Sequence, residues 1–515
     1  MLMTFIIVYL VISVAIGLYA ARRVHNTADY AVAGRSLPLA VVIATTFATW
    51  FGSETVLGVS ARFVSGGLGS VVEDPFGASM CLVLVGLFFA YKLYQKNLIT
   101  LGDYYRQRFG RSVEVICSCI IIMSYLGWVA AQITALGLVF NLLTQGTLSL
   151  TAGMVIGTAV VLVYTLYGGM WSVALTDFVQ MIVIAAGLLA IAWFAADLAG
   201  GAGKVVDYAV REGKFQFFPT GGLKEWTFFI AAAITMMLGS IPQQDVFQRV
   251  MSSNNVKTAQ RGPVIGGVLY LLFAFIPMFV VTSAVLVMPE TAEALLKDDP
   301  QKVLPTLVME RMPLILQVAF FGALLSAIMS TASATLLAPS TTFVENILRN
   351  LRPGMSDGQT LKAMRIAVLV FTGCVLTYAI TMQGTSIYDL VSGAYQVPLV
   401  GAFVPLVFGL YWKRATTQGA LMAVAMGLGV WLLFVASASL SEAFPQQLAG
   451  LLAALVGMVI DERTISQAEH TGLFFEAANG TSFVGSSTMG ANGDVTAVLL
   501  PGGITAAFTG HDVRH

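Results

Sequence analysis

Charge is what this chain has least of. Only 10% of its 515 residues are Asp, Glu, Lys or Arg, where a soluble domain carries about a quarter. That shortage excludes an ordinary water-facing surface, and equal totals of 27 basic and 27 acidic residues leave no basic face for nucleic acid. Cysteine is scarce as well: Cys81, Cys117, Cys119 and Cys374 all fall in apolar stretches, which argues against disulfide staples and zinc ligation. The four histidines, His25, His470, His511 and His515, lie outside those stretches. A histidine proton relay or a serine-histidine hydrolase inside a membrane therefore lacks its central residue. There is no G-x-x-x-x-G-K-[ST] loop to cradle a nucleotide and no H-E-x-x-H zinc helix, so the chain reads as a non-enzyme without a cofactor.

What the chain has instead is apolar length. Hydrophobic residues make up 57%, and they recur in runs near the twenty residues that cross a hydrocarbon core. Thirteen runs are predicted as helices of an all-α integral membrane protein, over 3–20, 37–62, 76–93, 112–142, 149–167, 171–199, 226–250, 262–288, 313–346, 363–382, 386–411, 416–436 and 446–460. The first is read as a retained helix, because Arg22 and Arg23 follow it without a small-residue cleavage site. With the N-terminus outside, about seventeen basic residues fall on one side against about eight on the other, and the richer side is expected to be cytoplasmic. The expected setting is a cell membrane, plasma or inner, crossed many times. Residues 461–515, rich in Gly, Ser and Thr and without helical periodicity, read as a solvated tail on the cytoplasmic side.

Two of the runs are interrupted at their centres. The second carries Thr49, Gly52, Ser53 and Glu54 there; the seventh carries Gly239, Ser240, Pro242, Gln243, Gln244 and Asp245. Discontinuous helices at matching places in two halves point to a transporter built as an inverted repeat, although two plain helices kinked by Gly and Pro would share this pattern. The ninth run holds Ala327, Ser330 and Thr331, which sets one carbonyl and two hydroxyls near one helical face. Hard oxygens in that arrangement suit a small alkali cation, unless each hydroxyl merely bonds back one turn.

The string YTLYGGMWS from Tyr164, with Thr176, Asp177 and Gln180 after it, resembles the sodium:solute symporter family. LGDYYRQRFG from Leu101, QQDVFQRVMSS from Gln243, LLSAIMSTASATLL from Leu324 and GLYWKR ending at Arg414 resemble it too. The resemblance implies the leucine-transporter fold with a 5+5 inverted repeat. Residues 1–36 would be an added helix and loop, 37–199 the first repeat, 200–225 an external loop, 226–411 the second repeat, 412–460 two further helices and 461–515 the tail. It further implies a sodium site of Ala48, Phe51, Ala327, Ser330 and Thr331, with Asp177, read at the cytoplasmic start of the sixth helix, on the ion pathway.

The implied function is sodium-coupled uptake of a small organic solute. The segments ATWFG, GWVAAQITALG and IPQQDVFQRVMSS are similar to the choline-transporter branch, where aromatic rings surround a quaternary ammonium. Trp50 and Trp128 fall on cage positions, whereas Ala78 and Gln243 stand where that branch has rings. Trp50, Glu54, Trp128, Gln243, Gln244, Tyr395 and Gln396 are accordingly expected to meet an amine-bearing or choline-like solute. Coupling to protons through Glu54 or another carboxylate, or a sensor of the same build, are the competing schemes; the roughly 55-residue tail is short for a kinase.

Overall fold

The computed structural model describes residues 1–459, 495–500 and 504–509. Residues 1–104 and 114–399 form one compact unit, and 105–113 with the described residues from 400 onward a second. In the first, helix α1 (Leu2–Ala20) is apolar on every face, as a helix in lipid has to be. Helix α2 (Leu39–Trp50) ends at Phe51, whose backbone leaves helical geometry at φ −87°, ψ 70°. The chain resumes at Glu54 in a π-helical turn, and the two pieces of this run, 39–50 and 54–66, are bent by 53°. Helix α3 (Arg111–Leu143) and helix α4 (Leu150–Leu198) follow.

The seventh run breaks in the same way. Helix α5 (Leu223–Gly239) and helix α6 (Gln244–Ser252) meet at 44° across Ser240–Gln243, where Pro242 cannot donate to a helical ladder. Helix α7 (Val256–Val287) lies along α2, and helix α8 (Leu314–Thr342) along α4. Every residue of α8 from Phe320 to Thr342 is buried. Ala, Ser, Thr and Gly are frequent there, and such small residues let membrane helices approach closely. Helix α9 (Asp357–Thr381) and helix α10 (Ile387–Pro398) complete the unit.

Among the described residues nine helices are long and apolar enough to cross a membrane, or eleven if each bent pair is one span. Two features account for the difference from thirteen. The expected runs 149–167 and 171–199 meet end to end in α4 with no loop between them, so they count as one length of 49 residues, which at about 1.5 Å each would reach roughly 74 Å, more than twice a hydrocarbon core. Gly169 breaks that length at φ 49°, ψ −140°, and a Cβ there would sit 2.4 Å from the Tyr30 carbonyl oxygen. The last run, Gln446–Val459, has 14 residues and falls short of a full crossing.

The second unit holds the helices Val404–Tyr411, Thr417–Val435 and Gln446–Val459. Arg108 ties it internally, donating to the carbonyls of Gly409 and Trp412, each at 3.1 Å. Most of the expected tail lies outside the described residues. Its described part forms an antiparallel pair, Val495–Leu500 with Ile504–Thr509, that the lack of helical periodicity did not announce.

Candidate functional site

The break in α2 is where the distant parts of the first unit converge. Ending a helix leaves its last carbonyls without intrahelical donors. One of these, on Thr49, accepts the Thr331 hydroxyl at 2.7 Å; the same hydroxyl also reaches back one turn to the Ala327 carbonyl at 3.1 Å. Bonding back is thus only half of what Thr331 does. Ala48, Phe51 and Ala327, expected beside it, are all fully buried in α2, its break and α8.

Ser330 turns to the neighbouring helix, donating to Asp177 Oδ1 at 2.6 Å. The second Asp177 oxygen accepts the Thr45 hydroxyl and, at 3.4 Å, that of Thr49. Asp177 therefore does not cap a helix start. It lies eight residues past the Gly169 break, fully buried, with its carboxylate among the hydroxyls of α2 and α8. Carbonyls, hydroxyls and one carboxylate around a buried point are hard donors that fit an alkali cation as cargo.

A second set of residues surrounds the other side of the break. The ring centroids of Trp50 and Trp128 are 5.7 Å apart, those of Trp128 and Tyr395 5.3 Å, and those of Trp50 and Tyr395 6.1 Å. Tyr125 stacks on Trp128 at 6.1 Å. Three of these rings were expected; the third arrives because α10 is held against α5, where a Cβ on Gly239 would come within 2.4 Å of the Tyr395 carbonyl oxygen. Glu54 accepts the Trp128 indole N–H at 3.0 Å and the Gln132 amide at 2.6 Å. Gln132 in turn accepts the Ser53 backbone N–H at 3.0 Å. One indole thus offers its face to the ring cluster and its N–H to a carboxylate.

The two glutamines of the seventh run part company. Gln243 donates to Ser124 at 2.8 Å beside the rings. Gln244 does not join them: it accepts from the Leu101 backbone N–H at 2.8 Å and donates to the Ile99 carbonyl, fixing the segment before Leu101. Gln396, next to Tyr395, is half-buried.

Several members of the site are new. Asp245 accepts the Tyr125 hydroxyl at 2.6 Å, and its backbone N–H donates back to that hydroxyl at 2.8 Å. The Trp50 indole N–H and the other Asp245 oxygen are both buried without a hydrogen-bond partner among the described residues. Arg249, only 1% exposed, donates to the Thr49 hydroxyl at 2.6 Å and to the Asp245 carbonyl at 2.8 Å. Arg249 is one of the roughly seventeen basic residues that the sequence places on the cytoplasmic side; its burial leaves about sixteen there and the asymmetry intact. A signal was there for all three: an arginine and an aspartate inside an apolar run are intramembrane charges, and Tyr125 stands one turn before Trp128.

A family model described as the sodium:solute symporter family matches residues 30–427. The high affinity choline transporter 1 of Homo sapiens is 28% identical over 448 residues, covering 82% of this chain and 75% of the relative. The high-affinity proline transporter PutP of Bacillus subtilis is 28% identical over 454 residues, covering 86% and 94%. Among solved structures, a Na+-coupled sialic acid symporter in a substrate-bound, outward-open state superposes with a TM-score of 0.76 at 19% identity, over 89% of this chain and 96% of that one. MhsT in complex with L-phenylalanine gives 0.55 at 14% identity, over 82% and 96%. These likenesses show the fold: the helical architecture of sodium symporters of the leucine-transporter type.

Proposed function

We propose, for a chain that belongs to the sodium:solute symporter family, where in the molecule the ion and the cargo sit. The protein is a multi-pass membrane protein that couples sodium to the movement of a small organic solute. Sodium lies between the carbonyls of Ala48 and Phe51 at the break in α2 and the Ala327 carbonyl, Ser330 hydroxyl and Thr331 hydroxyl of α8. The observation that carries this is the 2.7 Å bond from Thr331 to the Thr49 carbonyl, which sets the α8 hydroxyls against unwound backbone. Asp177 supplies the negative charge that the ion offsets and receives it on its way inward.

The cargo is an amine-bearing solute, received by Trp50, Trp128, Tyr395 and Gln243, with Glu54 and Asp245 as the nearby anionic groups. Ring faces attract ammonium groups, and a buried Asp245 oxygen, the Tyr395 hydroxyl and the Gln243 carbonyl oxygen, all without a hydrogen-bond partner among the described residues, are polar groups of the kind a solute satisfies. The choline transporters among the relatives accord with such a cargo. Gln244, held by Leu101 and Ile99, stands outside the cargo space, and Gln396, next to Tyr395, belongs to it.

Counted as the thirteen runs read in the sequence, with the N-terminus outside, the repeats are 37–199 and 226–411. The two bent spans, five apart in this count, support that symmetry. A potential of about 100 mV contributes roughly 2.3 kcal/mol per charge, and a tenfold sodium gradient adds about 1.4 kcal/mol. One sodium ion then supports roughly 500-fold accumulation of a neutral solute.

The test is a thermal-shift screen of the purified protein against small amines, amino acids and carboxylates, with and without sodium. A ligand at about 100 times its Kd stabilises by roughly 2.7 kcal/mol. An amine that stabilises only with sodium present is the expected result. A carboxylate without an amine as the one sodium-dependent ligand overturns the cargo assignment.

A further inference from the structure

Away from the ion and cargo, α8 and α9 enclose a groove of a different character. After Thr342, helix α8 continues as a π-helical turn over Phe343–Leu348 and ends at Leu351; Gly354, at φ 90°, turns the chain into α9. Between the two helices lies a cavity of about 680 Å³, within the range of small-ligand sites. On α9 it is lined by two rows spaced one turn apart: Lys362, Ile366, Val370 and Cys374, and beside them Ala363, Ala367 and Phe371. Pro339 and Phe343 form the facing wall.

Small alanines between larger side chains make a trough, and its apolar walls face outward: Phe343 is 40% exposed, Ile366 51% and Val370 59%. From Lys362 to Cys374 the trough runs roughly 18 Å at about 1.5 Å per residue. One leaflet of a hydrocarbon core is about 15 Å deep. The trough therefore has the length of one leaflet and the polarity of an acyl chain.

Its mouth is cationic. Arg352 and Lys362 both line it, no Asp or Glu does, and neither base has an acidic partner among the described residues. The acids closest in sequence are engaged elsewhere, Glu345 by Arg349 and Asp357 by the Thr27 backbone N–H at 3.2 Å. An apolar lane one leaflet long that ends in two unpaired bases is complementary to a single chemical class. Basic pockets between transmembrane helices hold anionic headgroups by the same logic.

We propose that the groove between α8 and α9 binds one anionic phospholipid, with an acyl chain along Ala363 and Ala367 and the phosphate at Arg352 and Lys362. The assignment is independent of which solute is carried, and a second copy of this chain is the competing occupant.

The experiment titrates the full-length protein in detergent with phosphatidylglycerol, with phosphatidylcholine of the same chains, and with inorganic phosphate, following the unfolding temperature. Phosphatidylglycerol is expected to stabilise saturably at concentrations at least about tenfold below phosphatidylcholine, and inorganic phosphate not at all. Arg352→Gln and Lys362→Gln, both at exposed positions where folding is tolerant, should each weaken phosphatidylglycerol about fivefold. Ala367→Phe, which fills the trough, should weaken both lipids alike. The proposal is overturned if the double glutamine variant keeps the wild-type preference for phosphatidylglycerol, or if inorganic phosphate reproduces the shift. It is equally overturned if Val370→Cys cross-links two copies in the membrane while phosphatidylglycerol has no effect.

Discussion

The Arg249 guanidinium and the Thr49 hydroxyl, two hundred residues apart in the chain, meet at 2.6 Å in the interior of the first unit. Thr49 is the residue whose carbonyl takes the Thr331 hydroxyl, and Arg249 also holds the carbonyl of Asp245. The bond therefore ties the break of the second run to the break of the seventh. Its charge acts on Asp177 on one side and Asp245 on the other.

Removing that guanidinium should cost stability and coupling together. Hydrogen bonds to a buried charged group contribute about 1.5–3 kcal/mol each. Arg249→Gln is expected to lower the unfolding temperature in detergent and to weaken the dependence of solute binding on sodium, while Arg249→Lys, which keeps the charge, should retain part of both. Unfolding and sodium dependence both unchanged in Arg249→Gln would remove the residue from the site.

The ion site makes a sharper demand. Ser330→Ala leaves an Asp177 oxygen short of a donor, and Thr331→Ala leaves the Thr49 carbonyl without its partner. A loss of roughly 1–3 kcal/mol is expected from each, seen as an apparent sodium affinity lower by about fivefold or more. Sodium-dependent uptake assays on the two variants measure this directly, and unchanged sodium dependence in both would sink the assignment.

For the cargo, ring and volume can be separated. Trp50→Phe keeps a ring face, whereas Trp50→Leu should lose roughly 0.5–2 kcal/mol of attraction for an ammonium. Trp128→Phe is a different experiment, because it retains a ring but deprives Glu54 of the indole N–H. Its effect should be larger than that of Trp50→Phe in binding assays with the amine found by the screen. Equal binding by Trp50→Leu and Trp50→Phe would end the amine reading and leave the sodium site standing.

Orientation is testable without any ligand. A cysteine at Gly354 should react with an impermeant thiol reagent only from the cytoplasm, and one at Ala202 only from outside. The reverse pattern would invert the whole topology.

Much of the architecture was legible because lipid imposes crude rules: run length gives the helices, and Gly, Pro and polar residues at a run's centre mark where a helix breaks. The two bent spans came from these rules, and the Ser330–Thr331 pair from the spacing of oxygens along one helical face. What did not come was the direction of side chains. In an apolar helix both faces look alike in sequence, so nothing local says that Gln244 turns to Leu101 while Gln243 stays by the rings. Ser330 finds Asp177 across 153 residues of chain, and Arg249 looked like a loop charge because it stands near the end of its run. The two runs that meet in α4 are separated by one glycine in a non-helical conformation, Gly169, and not by a polar turn.

The close passage of Gly239 against the Tyr395 carbonyl has a consequence for how such a site changes over generations. Backbone rests on backbone there, so the wall that carries the third ring keeps its place whatever side chains line the space in front of it. Side chains in front of that wall, such as Gln243, can then change without moving the frame or disturbing the hydroxyls of α8. A lineage built this way can acquire a new cargo by a few substitutions and inherit its energy source unaltered.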